Sequence, residues 1–398
     1  MYKIKAYLEY LIIKRSLIGF FLFATISLTI NAQTIAEQTK LKQRIEFRQM
    51  CEKAISDAET DNPNSLSKAL WITSAFNFKG INVDSLLDKL IANYDNLSME
   101  NKYALLAVLA EYPYSEKRFI LNKAIKENQP KLSLLAYSIL HQKCDNVDTN
   151  NTVYDDKTWS LIKEQINESA YQMELSNNQL QECISYIKQN YPIQYHLIVL
   201  TRADRNIPAK VYILAPGDST LKGKECLSYL ARSAYNILPY FTNGNTPCGV
   251  FKIIKKSVSS NNFIGPTTTL VTELPYESSV KEWNNTANNW SEKVYENMWP
   301  ASICKIPILW QAYLSGKVGR SEIIVHGSTI DPYFFREEPY FPLTPSLGCL
   351  SALELWDMNT GGYLESHQKR LVDKLPDCTE KLGFMYVLQI DENAYRKN

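Results

Sequence analysis

Three short stretches carry side chains that together can do covalent chemistry. Ser346-Leu347-Gly348-Cys349-Leu350-Ser351 places a cysteine directly after a glycine. A glycine there lets the backbone approach a ligand closely and leaves the thiol uncovered. Ile323-Ile324-Val325-His326-Gly327-Ser328 is an apolar run ending in histidine and glycine. Imidazole changes charge close to neutral pH, so a thiol and an imidazole brought together make a nucleophile and its base. Each also has a plain structural reading. A lone cysteine is commonly a small buried hydrophobe, and a histidine at a strand end is commonly a hydrogen-bonding core residue. The third stretch, Thr246-Pro247-Cys248-Gly249-Val250-Phe251-Lys252-Ile253, is a turn feeding an alternating strand, with proline and glycine supplying the unusual backbone angles.

The elements that must position these residues change in character near residue 191. Residues 33–190 read as short helices. Leu86, Leu87, Leu90 and Ile91 form a helical stripe, and Ala104 to Ala110 is a run of helix formers ending before Pro113. Breaks at Asn, Asp, Pro and Ser suggest packed helical hairpins, with no clean repeat period. From residue 191 the pattern becomes β. Strands are expected over His196–Leu200, Lys210–Leu214, Val250–Ile254, Thr268–Thr272, Glu322–Val325 and Phe384–Ile390. The expected class is therefore α then β: an all-α N-terminal domain of helical hairpins over 33–190 and a mostly-β domain over 191–398.

Taken in order, a TPxGxF strand, a strand ending in His-Gly and a Ser-x-Gly-Cys turn resemble the catalytic domain of the L,D-transpeptidases. The likeness covers residues 191–398 and implies that family's β sandwich or barrel. It implies Cys349 as nucleophile, His326 as general base and the Gly327 carbonyl as the group orienting the imidazole. The amides of Gly348 and Cys349 would be the oxyanion donors, and Ser346 would shape the turn. The implied activity is acyl transfer through a thioester on peptidoglycan stem tetrapeptides, giving a cross-link with an amine acceptor or trimming with water. Such chemistry needs no cofactor and no metal. The sequence departs from the family after the nucleophile, where Leu350-Ser351-Ala352 replaces the usual Arg or Asn. Arg336 or Lys305 is a candidate for the missing cation. The aromatic- and proline-rich insert 331–345 is a candidate lid, and Trp283, Trp290, Tyr295, Trp299 and Trp310 are candidates for either a groove lining or the core. A second reading is a non-catalytic wall-binding protein whose helical half docks a protein partner.

Composition bounds these readings. The chain has 398 residues, is 45% hydrophobic and 21% charged, and carries a formal net charge of +1. That is globular and near neutral, and no basic block suggests a nucleic-acid partner. Residues 1–32 begin with Lys3, Lys5, Lys14 and Arg15, followed by an apolar run from Leu17 to Ile30. They read as a signal peptide directing export to the cell envelope, or as an uncleaved anchor. The eight cysteines are scattered, with neither a CxxC pair nor zinc-ligand spacing.

Overall fold

A computed structural model describes residues 42–398 apart from 60–61, 115–116, 128, 144–156, 168–173, 285–288 and 358. The expected signal peptide, 1–32, lies outside the described residues. Among the described residues, no helix is long and apolar enough to cross a membrane. The chain divides into two compact units. The smaller comprises residues 1–53 with 357–362. In it residues 42–53 are helical, and the Gly361 amide donates to the Asp357 carbonyl at 2.7 Å. Everything that follows concerns the larger unit, residues 54–356 and 363–398.

Its first half is helical: α1 (Pro63–Ala75), α2 (Ile81–Ala92), α3 (Met99–Glu111), α4 (Lys117–Ile125), α5 (Pro130–Lys143), α6 (Lys157–Asn167) and α7 (Asn177–Asn190). Local chemistry sets their starts. The Asn62 side chain accepts the Ser65 amide ahead of Pro63, Ser98 caps α3, and Ser176 with Gln179 forms a reciprocal capping box on α7. The stripe on α2 is buried at Leu86, Leu87 and Leu90, as its spacing predicts. Helix α1 packs on α3, and α5 packs on α3, α4 and α6.

The second half is mostly β. Eight strands close into a barrel in the order β1 (Tyr195–Thr201), β10 (Leu382–Gln389), β4 (Gly249–Ser257), β5 (Thr269–Glu273), β6 (Val325–His326), β7 (Leu350–Ala352), β3 (Leu227–Leu230) and β2 (Ala209–Leu214). A separate ribbon pairs β8 (Glu354–Trp356) with β9 (Tyr363–Ser366). Strands β1 and β10 run parallel and are buried along almost their whole length, which is why both read as continuous apolar runs. Closure leaves no open edge in the barrel. The helix-to-strand change at residue 190 occurs inside this one compact unit.

His196 on β1 shows how tightly this wall is built. Its Nδ1 accepts the Phe384 amide at 3.1 Å, and its Nε2 donates to the Tyr191 carbonyl at 3.2 Å. Accepting at Nδ1 requires a neutral ring, and burial lowers its pKa from 6.5 to about 4. A histidine depressed in the folded state binds fewer protons there than in the unfolded chain. Its contribution is complete above pH 6.5 and is lost as pH falls toward 4. Denaturant titrations should therefore show a loss on the order of 3 kcal/mol between pH 7 and 4 from this residue. His196→Gln should flatten that acid limb; an unchanged limb would assign the loss to other groups.

Candidate functional site

The three motifs meet at one place. Strands β6 and β7 are parallel neighbours, with Val325 opposite Leu350 and His326 opposite Ser351. Cys349 immediately precedes β7 and His326 ends β6, and both line one cleft of about 410 Å³. The Thr246-Pro247 turn contributes through its hydroxyl: Thr246 Oγ1, fully buried, donates to the Gly348 carbonyl at 3.0 Å. Gly249, the glycine of the same motif, has φ +137°, and an added Cβ would lie 2.5 Å from both Ala312 Cβ and the Tyr295 hydroxyl. The Thr246 segment thus holds the Ser346–Cys349 turn in place.

The turn before the thiol is self-bonded. Ser346 Oγ donates to the Cys349 carbonyl at 2.7 Å and accepts the Gly348 amide at 3.0 Å. Gly348 sits at φ +113°, where an added Cβ would fall 2.1 Å from Arg320 Nη2 and 2.3 Å from the Gly244 carbonyl. Only glycine fits both the angle and the space. One expectation is corrected here. The Gly348 amide is taken by Ser346 and is not free to bind an oxyanion, whereas the Cys349 amide has no partner among the described residues.

His326 is 5% exposed. Its Nδ1 donates to the Gly327 carbonyl at 2.6 Å. This fixes the tautomer with the Nε2 lone pair free, and Nε2 has no hydrogen-bond partner among the described residues. Burial lowers the imidazole pKa, partly opposed by the Gly327 carbonyl. Gly327 packs against a buried carboxyl, since an added Cβ would lie 1.8 Å from Glu354 Oε2. Glu354 takes hydrogen bonds from Thr267 and Ser366 on Oε1, and burial raises its pKa.

Cys349 is partly exposed. Its sulfur accepts the Ile324 amide at 3.4 Å and faces the Glu322 carbonyl at 3.5 Å. No hydrogen bond joins it to His326, which lies on the neighbouring parallel strand, two residues out of register with it. Burial raises the thiol pKa, while the Ile324 amide and the Arg320 charge pull it down. Thiol and imidazole are therefore both neutral in the free protein at neutral pH.

The cation beside Cys349 is Arg320, not Arg336 or Lys305. Lys305 pairs with Glu296, and Arg336 with Tyr333 and Glu337; neither lines the cleft. Arg320 is buried, donates to the carbonyls of Pro239, Gly244 and Asn245, and forms no ion pair with a carboxylate among the described residues. Burial lowers its pKa to about 10, so it stays charged. Nothing in its local sequence marks it, because its importance comes from the loops it ties together.

The aromatic residues weighed as groove lining or core do not line the cleft. Trp283, Tyr295 and Trp299 are buried, Trp290 and Trp310 give their indole N–H groups to the carbonyls of Ser278 and Cys304, and none of the five lines the cleft. The aromatic wall comes instead from Trp71 on α1, which lines the cleft together with Phe263. Among the described residues no group of side chains is arranged to hold a metal ion.

No protein family, no curated protein and no solved structure matches the chain. Chemically, the cleft offers a thiol, an imidazole with a free nitrogen, an unpaired amide and a buried positive charge. Alkylation of Cys349 by iodoacetamide, followed by peptide mass spectrometry, should rise with pH through a midpoint above the ordinary thiol value of 9.0. A rate already at its plateau at neutral pH would show a preformed thiolate and contradict the neutral pair.

Proposed function

We propose that this chain is a cysteine-dependent acyltransferase of the L,D-transpeptidase type, exported to the cell envelope and acting on peptidoglycan stem peptides. The observation that supports it most is the convergence of three sequence-distant motifs. Thr246 holds the Gly348–Cys349 turn, and His326, anchored through Nδ1, lines the same cleft as the thiol.

In this reading substrate entry displaces water and the Cys349 side chain rotates away from the Glu322 carbonyl toward His326 Nε2. The imidazole takes the thiol proton as sulfur attacks the stem-peptide carbonyl. The Cys349 amide faces the oxyanion, a donor typically worth ~3–4 kcal/mol in such a role. The imidazolium then protonates the departing amine and leaves a thioester. An amine from a second stem resolves it to a cross-link, and water resolves it to a trimmed peptide. Arg320 lowers the cost of negative charge at sulfur.

A second reading has its own support. The resting thiol is bonded away from the imidazole and its pKa is raised, as suits a wall-binding protein without turnover. Intact-mass spectrometry after incubation with a carbapenem separates the two. One adduct is expected on the parent chain and none on Cys349→Ala. His326→Gln should slow adduct formation by about 10²–10⁴-fold. A folded parent that gains no adduct and releases no D-alanine from disaccharide tetrapeptides would leave the binding reading standing and remove the catalytic one.

A further inference from the structure

The cleft has a second wall that the acyl-transfer chemistry does not use. Trp71 of α1 stands half-buried at its edge, its ring centroid 5.2 Å from that of Phe263, which is 36% exposed. Both rings are held from behind. Phe76 packs edge-on against each, at 5.5 Å and 5.8 Å. The Phe263 amide donates to Asn261 Oδ1 at 2.9 Å, and its carbonyl accepts the Thr329 amide at 3.1 Å. Two side-chain amides line the same cleft. Asn261 spends its oxygen on Phe263 and keeps Nδ2 unpaired among the described residues. Asn243 sits at φ +61° with no side-chain bond among the described residues. Its neighbour Thr242 is pinned by the helical layer, taking the Tyr103 hydroxyl on its carbonyl at 3.1 Å and Lys131 on Oγ1 at 2.6 Å.

We infer that Trp71, Phe263, Asn243 and Asn261 form a carbohydrate subsite that binds an amino-sugar ring attached to the peptide acted on at Cys349. The inference rests on the proposed peptidoglycan substrate. A pyranose ring has one flat C–H face and a rim of hydroxyl and amide groups. The first matches an aromatic face and the second matches unpaired carboxamides. A stem peptide of alanine and a diamino acid has no large apolar side chain to fill an aromatic wall, so the sugar is the part of the substrate that fits. The helical layer then has a direct task, because it supplies Trp71 and fixes the chain beside Asn243. A substrate would be read at two ends, peptide at the thiol and glycan at the helices.

Two measurements on the full chain test this. The first compares kcat and KM for a free tetrapeptide and the same tetrapeptide on its disaccharide. The parent is expected to prefer the disaccharide form. Trp71→Ala should raise KM for that form about tenfold, with kcat and free-peptide turnover kept, and Trp71→Phe should restore part of the loss. Equal turnover of both substrates by the parent, or an equal loss on both in Trp71→Ala, would overturn the subsite while leaving acyl transfer intact. The second follows tryptophan fluorescence on addition of peptide-free disaccharide, with Trp71→Phe as reference. Saturable quenching in the parent alone supports the subsite even where no turnover is seen, an outcome that removes only the catalytic reading. No turnover and no quenching would overturn both.

Discussion

The site rests on one buried guanidinium. Arg320 has no carboxylate partner among the described residues and sends its donors to the carbonyls of Pro239, Gly244 and Asn245. A charge taken out of water this far needs dense hydrogen bonding or an anion. The three carbonyls supply the first, and they come from the segment that also carries Thr246. The consequences run outward. Gly348 lies against the guanidinium and must be glycine, Thr246 caps the Gly348 carbonyl, and the Ser346 turn closes over both. The position of the Cys349 sulfur follows from these contacts more than from its own two weak ones.

That dependence explains what could be read from the chain and what could not. The apolar runs at β1, β4 and β10 and the stripe on α2 are signatures of local periodicity, and they appear where the pattern puts them. The three motifs named Cys349, His326, Gly327, Gly348 and Ser346, and of these Cys349, His326 and Ser346 line one cleft. Strand β6 is only two residues long, shorter than the expected run Glu322–Val325, because Ile323 and Ile324 are used differently: Ile324 gives its amide to the thiol. β3 and β7 are too short to show an alternation at all. Arg320, Glu354 and Trp71 carry no local signal. Their roles come from contacts with segments far along the chain, which spacing does not encode.

The partition of aromatic residues follows the same rule. Trp283 and Tyr295 are numerous-neighbour residues in sequence, clustered over a short span, and that clustering reflects a hydrophobic core packed on the barrel rather than a groove. Trp71 is isolated in sequence between apolar helix positions. It becomes part of the cleft only because α1 packs its C-terminal end against the loop carrying Phe263 and the insert carrying Phe334. The insert 331–345, a candidate lid from its composition, is tied to the helical layer by Asn77 on Glu338 and by the Phe76–Phe334 contact. Both ties favour a fixed wall over a moving one.

On the proposed acyl-transfer reading, a cleft of this kind keeps its reactive groups idle until it is filled. Desolvation raises the Cys349 pKa and lowers that of His326, so the same burial that shapes the pocket suppresses the ion pair that would make the sulfur nucleophilic. The groups that favour a thiolate are the Ile324 amide and the Arg320 charge, both fixed before any ligand arrives. Fixed dipoles of this sort need no reorganisation when charge develops during reaction. In the proposed reaction the energetic burden falls on the substrate, which must seat its carbonyl beside the Cys349 amide and close the gap between thiol and imidazole to gain from the preset field. A barrel that positions the chemistry and a helical layer that walls the cleft are two parts of one device, and neither half of the chain builds the site alone.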